Sequence, residues 1–88
     1  MKIARPDNGT GPWTITVYDG TEHEKKFRVP AKLAGWAAGM MVETKQNRDS
    51  LFYLSELRSN EREESPFMHI CNEIIRLNSD DDRDVVLV

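Results

Sequence analysis

His69, Cys71 and Glu73 stand within five positions of one another, and a run of carboxylates, Asp80-Asp81-Asp82-Arg83-Asp84, follows closely. In a chain of 88 residues with two histidines and one cysteine, these are the first candidates for chemistry. A thiol beside an imidazole suggests a nucleophile and its base. On a helix, however, positions two apart point about 200° away from each other. Cys71 falls instead among Ile70, Ile74 and Ile75, where a cysteine behaves as a small buried hydrophobe. His69 and Glu73, four apart, share one helix face as two metal ligands would. A zinc site needs three or four ligands, and the other histidine, His23, lies far off in a turn-rich stretch. The spacing therefore predicts a solvent-exposed His–Glu pair and no metal.

The acidic run lacks the glycine and the distal glutamate of a calcium loop, which predicts a solvated connector. With Glu61, Glu63 and Glu64 it also offers carboxylates, Asp80, Asp81, Asp82 and Asp84, that could meet an arginine-rich partner or imitate nucleic-acid phosphates. The opposite charge gathers earlier in the chain, at Arg5, Lys25, Lys26 and Arg28, beside Trp13 and Tyr18. Cations interleaved with aromatics are the equipment of a single-strand binder, so a nucleic-acid-binding module is an alternative reading. Gly9-Thr10-Gly11 leads into a strand and carries no phosphate-loop lysine. No Gly-x-Ser-x-Gly elbow or His-Glu-x-x-His pair is present, and Glu63-Glu64 lies in a strongly polar stretch unsuited to shifting a carboxyl pKa by burial. The expectation is a non-enzymatic protein without a cofactor.

These residues must be positioned by a few short elements. "WTITVY" alternates, with Trp13, Ile15 and Val17 facing one way and Thr14, Thr16 and Tyr18 the other, which predicts a strand. Asp19-Gly20 opens a turn and "KKFRV" alternates again, completing a β-hairpin. "MKIAR" can add a short strand. Pro30 precedes a helix-forming stretch, "AKLAGWAAGMMVE". Residues 50–58 read as a helix with Leu51, Leu54 and Leu57 inward, or as a strand with Leu51, Tyr53 and Leu57 on one face. Ser65-Pro66 supplies a cap and a first-turn proline for a last helix with Phe67, Ile70, Cys71, Ile74 and Leu77 inward. "NSDDDRD" is expected to break that helix, and "VVLV" to close the sheet as a covered strand. The fold class is α+β, one domain over residues 1–88: a hairpin and a C-terminal strand packed on two or three helices, in the order ββααβ or ββαααβ.

The first helix poses the main question. Gly35 and Gly39 each weaken a helix interior by about 1 kcal/mol relative to alanine. On a helical wheel, small residues (Ala31, Ala34, Gly35, Ala38, Gly39) fill one arc and Leu33, Trp36 and Met40 another, leaving only Lys32 and Glu43 as a polar strip. A helix apolar almost all round must be covered on more than one side. Packing of the small-residue stripe inside the domain is the simplest expectation. The alternative is a contact with another protein or a second copy of the chain.

Composition bounds the rest. The net charge of −3 conceals +3 over residues 1–48 and −6 over residues 49–88. No run approaches the roughly 18 apolar residues of a membrane span, "MKIARPDNGTGPW" has no apolar h-region, and a lone cysteine fits a reducing compartment. A cytoplasmic protein with no membrane partner is expected. Taken together, these features predict a small acidic protein-binding domain, an inhibitor or modulator that occupies a surface of a larger protein complex, of the kind a phage or mobile element encodes. Its expected contact residues are the carboxylates above together with Gly35 and Gly39. A self-associating homodimer is the other alternative.

Overall fold

The computed structural model of the chain describes residues 1–60 and 64–87, and the side chains of residues 79–87 are not described. Three strands, β1 (Lys2–Ala4), β2 (Trp13–Val17) and β3 (Lys25–Val29), form an antiparallel sheet in the order β1-β2-β3. Three helices follow, α1 (Ala31–Gln46), α2 (Ser50–Ser59) and α3 (Pro66–Leu87). The class is α+β.

Alternation along the strands decides what each face of the sheet does. In the register Ile3↔Ile15↔Phe27, the apolar residues form one row, and Trp13↔Val29 forms the next. This face meets the helices, and Ile15, Val17 and Val29 are buried there with Ala34, Ala37, Leu54, Ile70, Cys71 and Ile74. α3 packs on α2 and α1, and both α1 and α3 reach β2. Trp36 of α1 meets Phe67 of α3 with ring centroids 5.0 Å apart. Cys71 is fully buried in this core, as its place in the apolar arc predicts.

The α2 stretch resolves as a helix. Leu54 is buried and Leu51 and Leu57 are partly buried, whereas Tyr53, which a strand would place beside them, is 51% exposed. The cap at Ser65 forms as the sequence predicts, its Oγ accepting the Met68 N–H at 3.1 Å.

The C-terminal strand does not form. α3 continues through the acidic run and "VVL" to Leu87, and the sheet's third strand is β1 instead. Asn78, read as the start of a breaker, is the reason at side-chain level. It is buried, and its Nδ2 donates to the Ile74 carbonyl at 2.8 Å and to Thr44 Oγ1 of α1 at 2.9 Å. Thr44 in turn donates to the Met40 carbonyl at 2.8 Å. A residue that favours turns is thus bonded within its own helix, and neither Gly nor Pro follows it in the sequence to end that helix.

Of the small-residue stripe only Ala34 packs into the core; the rest does not pack internally. Gly35 and Gly39 have nothing within 4 Å of where a Cβ would stand. Ala31, Gly35, Ala38, Gly39 and Val42 are all exposed, and α1 buries its other side through Ala34, Ala37 and Thr44. The sheet, α2 and α3 cover only one flank of this helix, so among the described residues nothing makes the close approach that would explain the glycines. Among the described residues, no helix is long and apolar enough to cross a membrane.

Candidate functional site

β2 ends at Val17, and the next residue, Tyr18, takes a left-handed backbone conformation with φ 55°. That conformation costs a non-glycine residue on the order of 1–3 kcal/mol unless its surroundings enforce it. Here they do. The Tyr18 N–H donates to Glu73 Oε2 of α3, and the Tyr18 carbonyl accepts from Thr21 Oγ1 at 2.6 Å and from the Thr21 N–H at 3.2 Å. The strand's alternation is thereby broken. Tyr18, expected on the outer face with Thr14 and Thr16, reaches His69 on the helix side.

Glu73 is the hub of this corner. It is fully buried, with Oε1 2.7 Å from Arg76 Nε and Oε2 3.9 Å from the Met1 ammonium. Glu73 holds the Arg76 guanidinium more firmly charged than usual, chiefly through that hydrogen bond. The Met1 ammonium lies 3.1 Å from Asp19 Oδ1. The exposed His–Glu pair expected from the sequence is therefore corrected: both side chains are buried, because the turn at Tyr18 and the β1 end close over the polar half of α3.

His69 joins the hub to the surface. Its Nε2 lies 3.2 Å from Glu64 Oε1 and its Nδ1 3.2 Å from the Tyr18 hydroxyl, while Phe27 stacks on the ring at a centroid distance of 5.4 Å. Since a carboxylate only accepts, the Nε2–H donates to Glu64, and in the tautomer protonated there alone Nδ1 accepts from the Tyr18 hydroxyl. Burial keeps the Tyr18 phenol above its ordinary pKa, so the proton stays on its oxygen. In outline this is a hydroxyl, a base and an orienting carboxylate. A cleft of about 420 Å³ beside it is lined by Tyr18, Thr21, His23, Lys25, His69 and Arg76, with Glu64 at its edge. Both imidazole nitrogens are engaged by protein partners, and the chain of bonds ties the hairpin turn to α3.

One consequence is a pH dependence. The hydrogen bond and charge of the Met1 ammonium hold the Asp19 carboxyl below its usual pKa. A depressed folded-state pKa contributes stability that is present above the unfolded value, about 3.9, and is lost as pH falls through the folded one. The urea midpoint of the wild type should therefore drop between about pH 5 and pH 2.5 more steeply than that of Asp19→Asn. Parallel pH profiles would exclude the linkage.

The other expected site residues are spread over the molecule. Gly35 and Gly39 lie on the exposed flank of α1. Asp80, Asp81, Asp82 and Asp84 belong to the backbone of α3 rather than to a connector. Glu61 and Glu63 lie outside the described residues, and Glu64 is exposed but bonded to His69. The basic group divides. Lys26 and Arg28 share the outer face of the sheet, and Arg5 follows β1 at the end of that face, whereas Lys25 pairs with Val17 on the opposite face. Lys2, outside the expected basic group, joins Lys26 in the row Lys2↔Thr16↔Lys26. The period-2 parity of "KIA" against "WTITV" is the signal that finds it. Of the sheet's aromatics, Phe27 stacks on His69, and Trp13, partly buried against the core, lies under the Arg5 guanidinium at 5.9 Å.

No protein-family model matches the chain, and no curated protein or solved structure matches it.

Proposed function

We propose that the protein is a small protein-binding domain that acts without catalysis, occupying the surface of a larger protein as an inhibitor or modulator. The observation that supports this reading is the uncovered flank of α1. From Ala31 to Val42 it presents Gly35, Ala38 and Gly39 to solvent, with Val42 58% exposed. The stripe is about 17 Å long at 1.5 Å per residue. It has no side chain larger than valine, so a partner's helix can lie close to the backbone. Two further apolar side chains, Phe52 and Tyr53 of α2, are 73% and 51% exposed. Trp, Tyr, Phe and Met are the residues that protein interfaces favour.

The test uses Gly35→Glu combined with Val42→Asp, two changes made in open solvent. The immobilised wild type should retain one stoichiometric protein from source-cell lysate treated with nuclease. The double variant, with a helical circular dichroism spectrum and a melting temperature no lower than the wild type's, should lose it at least tenfold. Retention by the variant would overturn the reading. So would a wild-type mass by light scattering of twice 10.1 kDa that the variant halves, since the flank would then serve self-association.

A further inference from the structure

The outer face of the sheet carries one sign of charge. Of the residues in β1, β2 and β3, Lys2, Lys25, Lys26 and Arg28 are cationic and none is acidic. Strand parity sends Lys2, Ala4, Thr14, Thr16, Lys26 and Arg28 to the face away from the helices. Lys2, Ala4, Lys26 and Arg28 are exposed there. Lys2 and Lys26 flank Thr16 across two strand spacings, roughly 10 Å, and Arg28 lies about 7 Å along β3 from Lys26. Past the end of β1, Arg5 and Arg28 line a hollow of about 450 Å³ with Thr10, Thr14 and Asp7. Arg5 is braced there, its guanidinium 5.9 Å above the Trp13 ring.

We infer that this face binds the phosphodiester backbone of duplex nucleic acid, through Lys2, Arg5, Lys26 and Arg28. Charge complementarity selects a polyanion. The absence of an aromatic side chain among the strand residues of this face selects the duplex, because single-strand binders rely on stacking bases on aromatic platforms, whereas a duplex hides its bases and presents phosphates. Contacts to phosphate alone position a protein without reading sequence, so the binding is sequence-independent. This surface lies on the opposite side of the sheet from the helices and is independent of the α1 flank.

The experiment is fluorescence anisotropy with a labelled 20-base-pair DNA of arbitrary sequence, across a range of salt concentrations. Four neutralised phosphates give a slope of log K against log salt of about −3.6, or a loss on the order of 150-fold between 50 and 200 mM. Lys26→Ala with Arg28→Ala should weaken binding and reduce the slope by about 2, and Lys26→Arg should behave as wild type. Lys25→Ala with Lys32→Ala, which removes cations from other surfaces, should leave binding unchanged. No complex with the duplex at 50 mM salt would overturn the inference. Equal losses in the two double variants would do so as well. A single-stranded 20-mer bound more tightly and with less salt dependence would assign the face to unpaired strands and overturn the duplex reading.

Discussion

Glu73→Ala should lower stability by about 3–5 kcal/mol, the range for removing one member of a buried ion pair. The carboxylate, itself fully buried, receives the Tyr18 N–H, the Arg76 Nε–H and the charge of the Met1 ammonium. Truncation leaves a buried backbone donor unmet and removes the group that enforces the left-handed conformation of Tyr18. A native domain has only about 5–15 kcal/mol in total, so the variant stands near the edge of folding. Urea unfolding should show a midpoint lower by roughly 2–3 M.

Two companion substitutions separate this account from ordinary loss of packing. Glu73→Gln preserves volume but has one acceptor oxygen where two are used, so an amide NH₂ must face a donor. It should lose about 1–3 kcal/mol. Arg76→Ala removes a side chain that is 41% exposed and opens the site to water, and it should lose less than Glu73→Ala. If Glu73→Gln is as stable as the wild type, the carboxylate is not the hub, and the corner is held by its apolar contacts.

Why this corner is hard to find in the sequence has a physical answer. β2, β3 and the start of α3 are set by local chemistry: period-2 alternation in "WTITV" and "KKFRV", and the Ser65 cap. Such features are legible because the deciding residues are neighbours. The Tyr18 turn is decided by Glu73, 55 positions away, and Glu73 sits on the polar half of the α3 wheel, where burial is the last expectation. Asn78 misleads for the same reason, its turn preference being offset by a bond to Thr44 across 34 positions. The expected closing strand fails with it, since "VVLV" is equally apolar as a helix or a strand. The basic cluster was legible as residues but not as a surface. Counting Lys25 with Lys26 and Arg28 ignores that adjacent strand residues point to opposite faces.

Replacing both glycines of "LAGWAAGMM" by alanine should stabilise the protein by about 2 kcal/mol, roughly 0.8–1 kcal/mol at each position. Both lie inside α1, neither has a positive φ, and a Cβ at either would meet nothing within 4 Å. The added methyl groups therefore bring no clash, and the unfolded chain loses freedom it would otherwise regain. For a domain of this size the melting temperature of Gly35→Ala/Gly39→Ala should rise by roughly 8–15 °C. A lower melting temperature would mean that something does approach the helix closely. The same variant bears on function. Natural sequences commonly leave such stability unused, and on the proposed reading the two glycines keep this helix face smooth enough for another backbone to lie against. The two methyl groups should then raise the melting temperature and weaken capture of the partner together. A stabilised variant that binds as well as the wild type would remove the glycines from the contact surface, leaving Val42, Phe52 and Tyr53 to carry it.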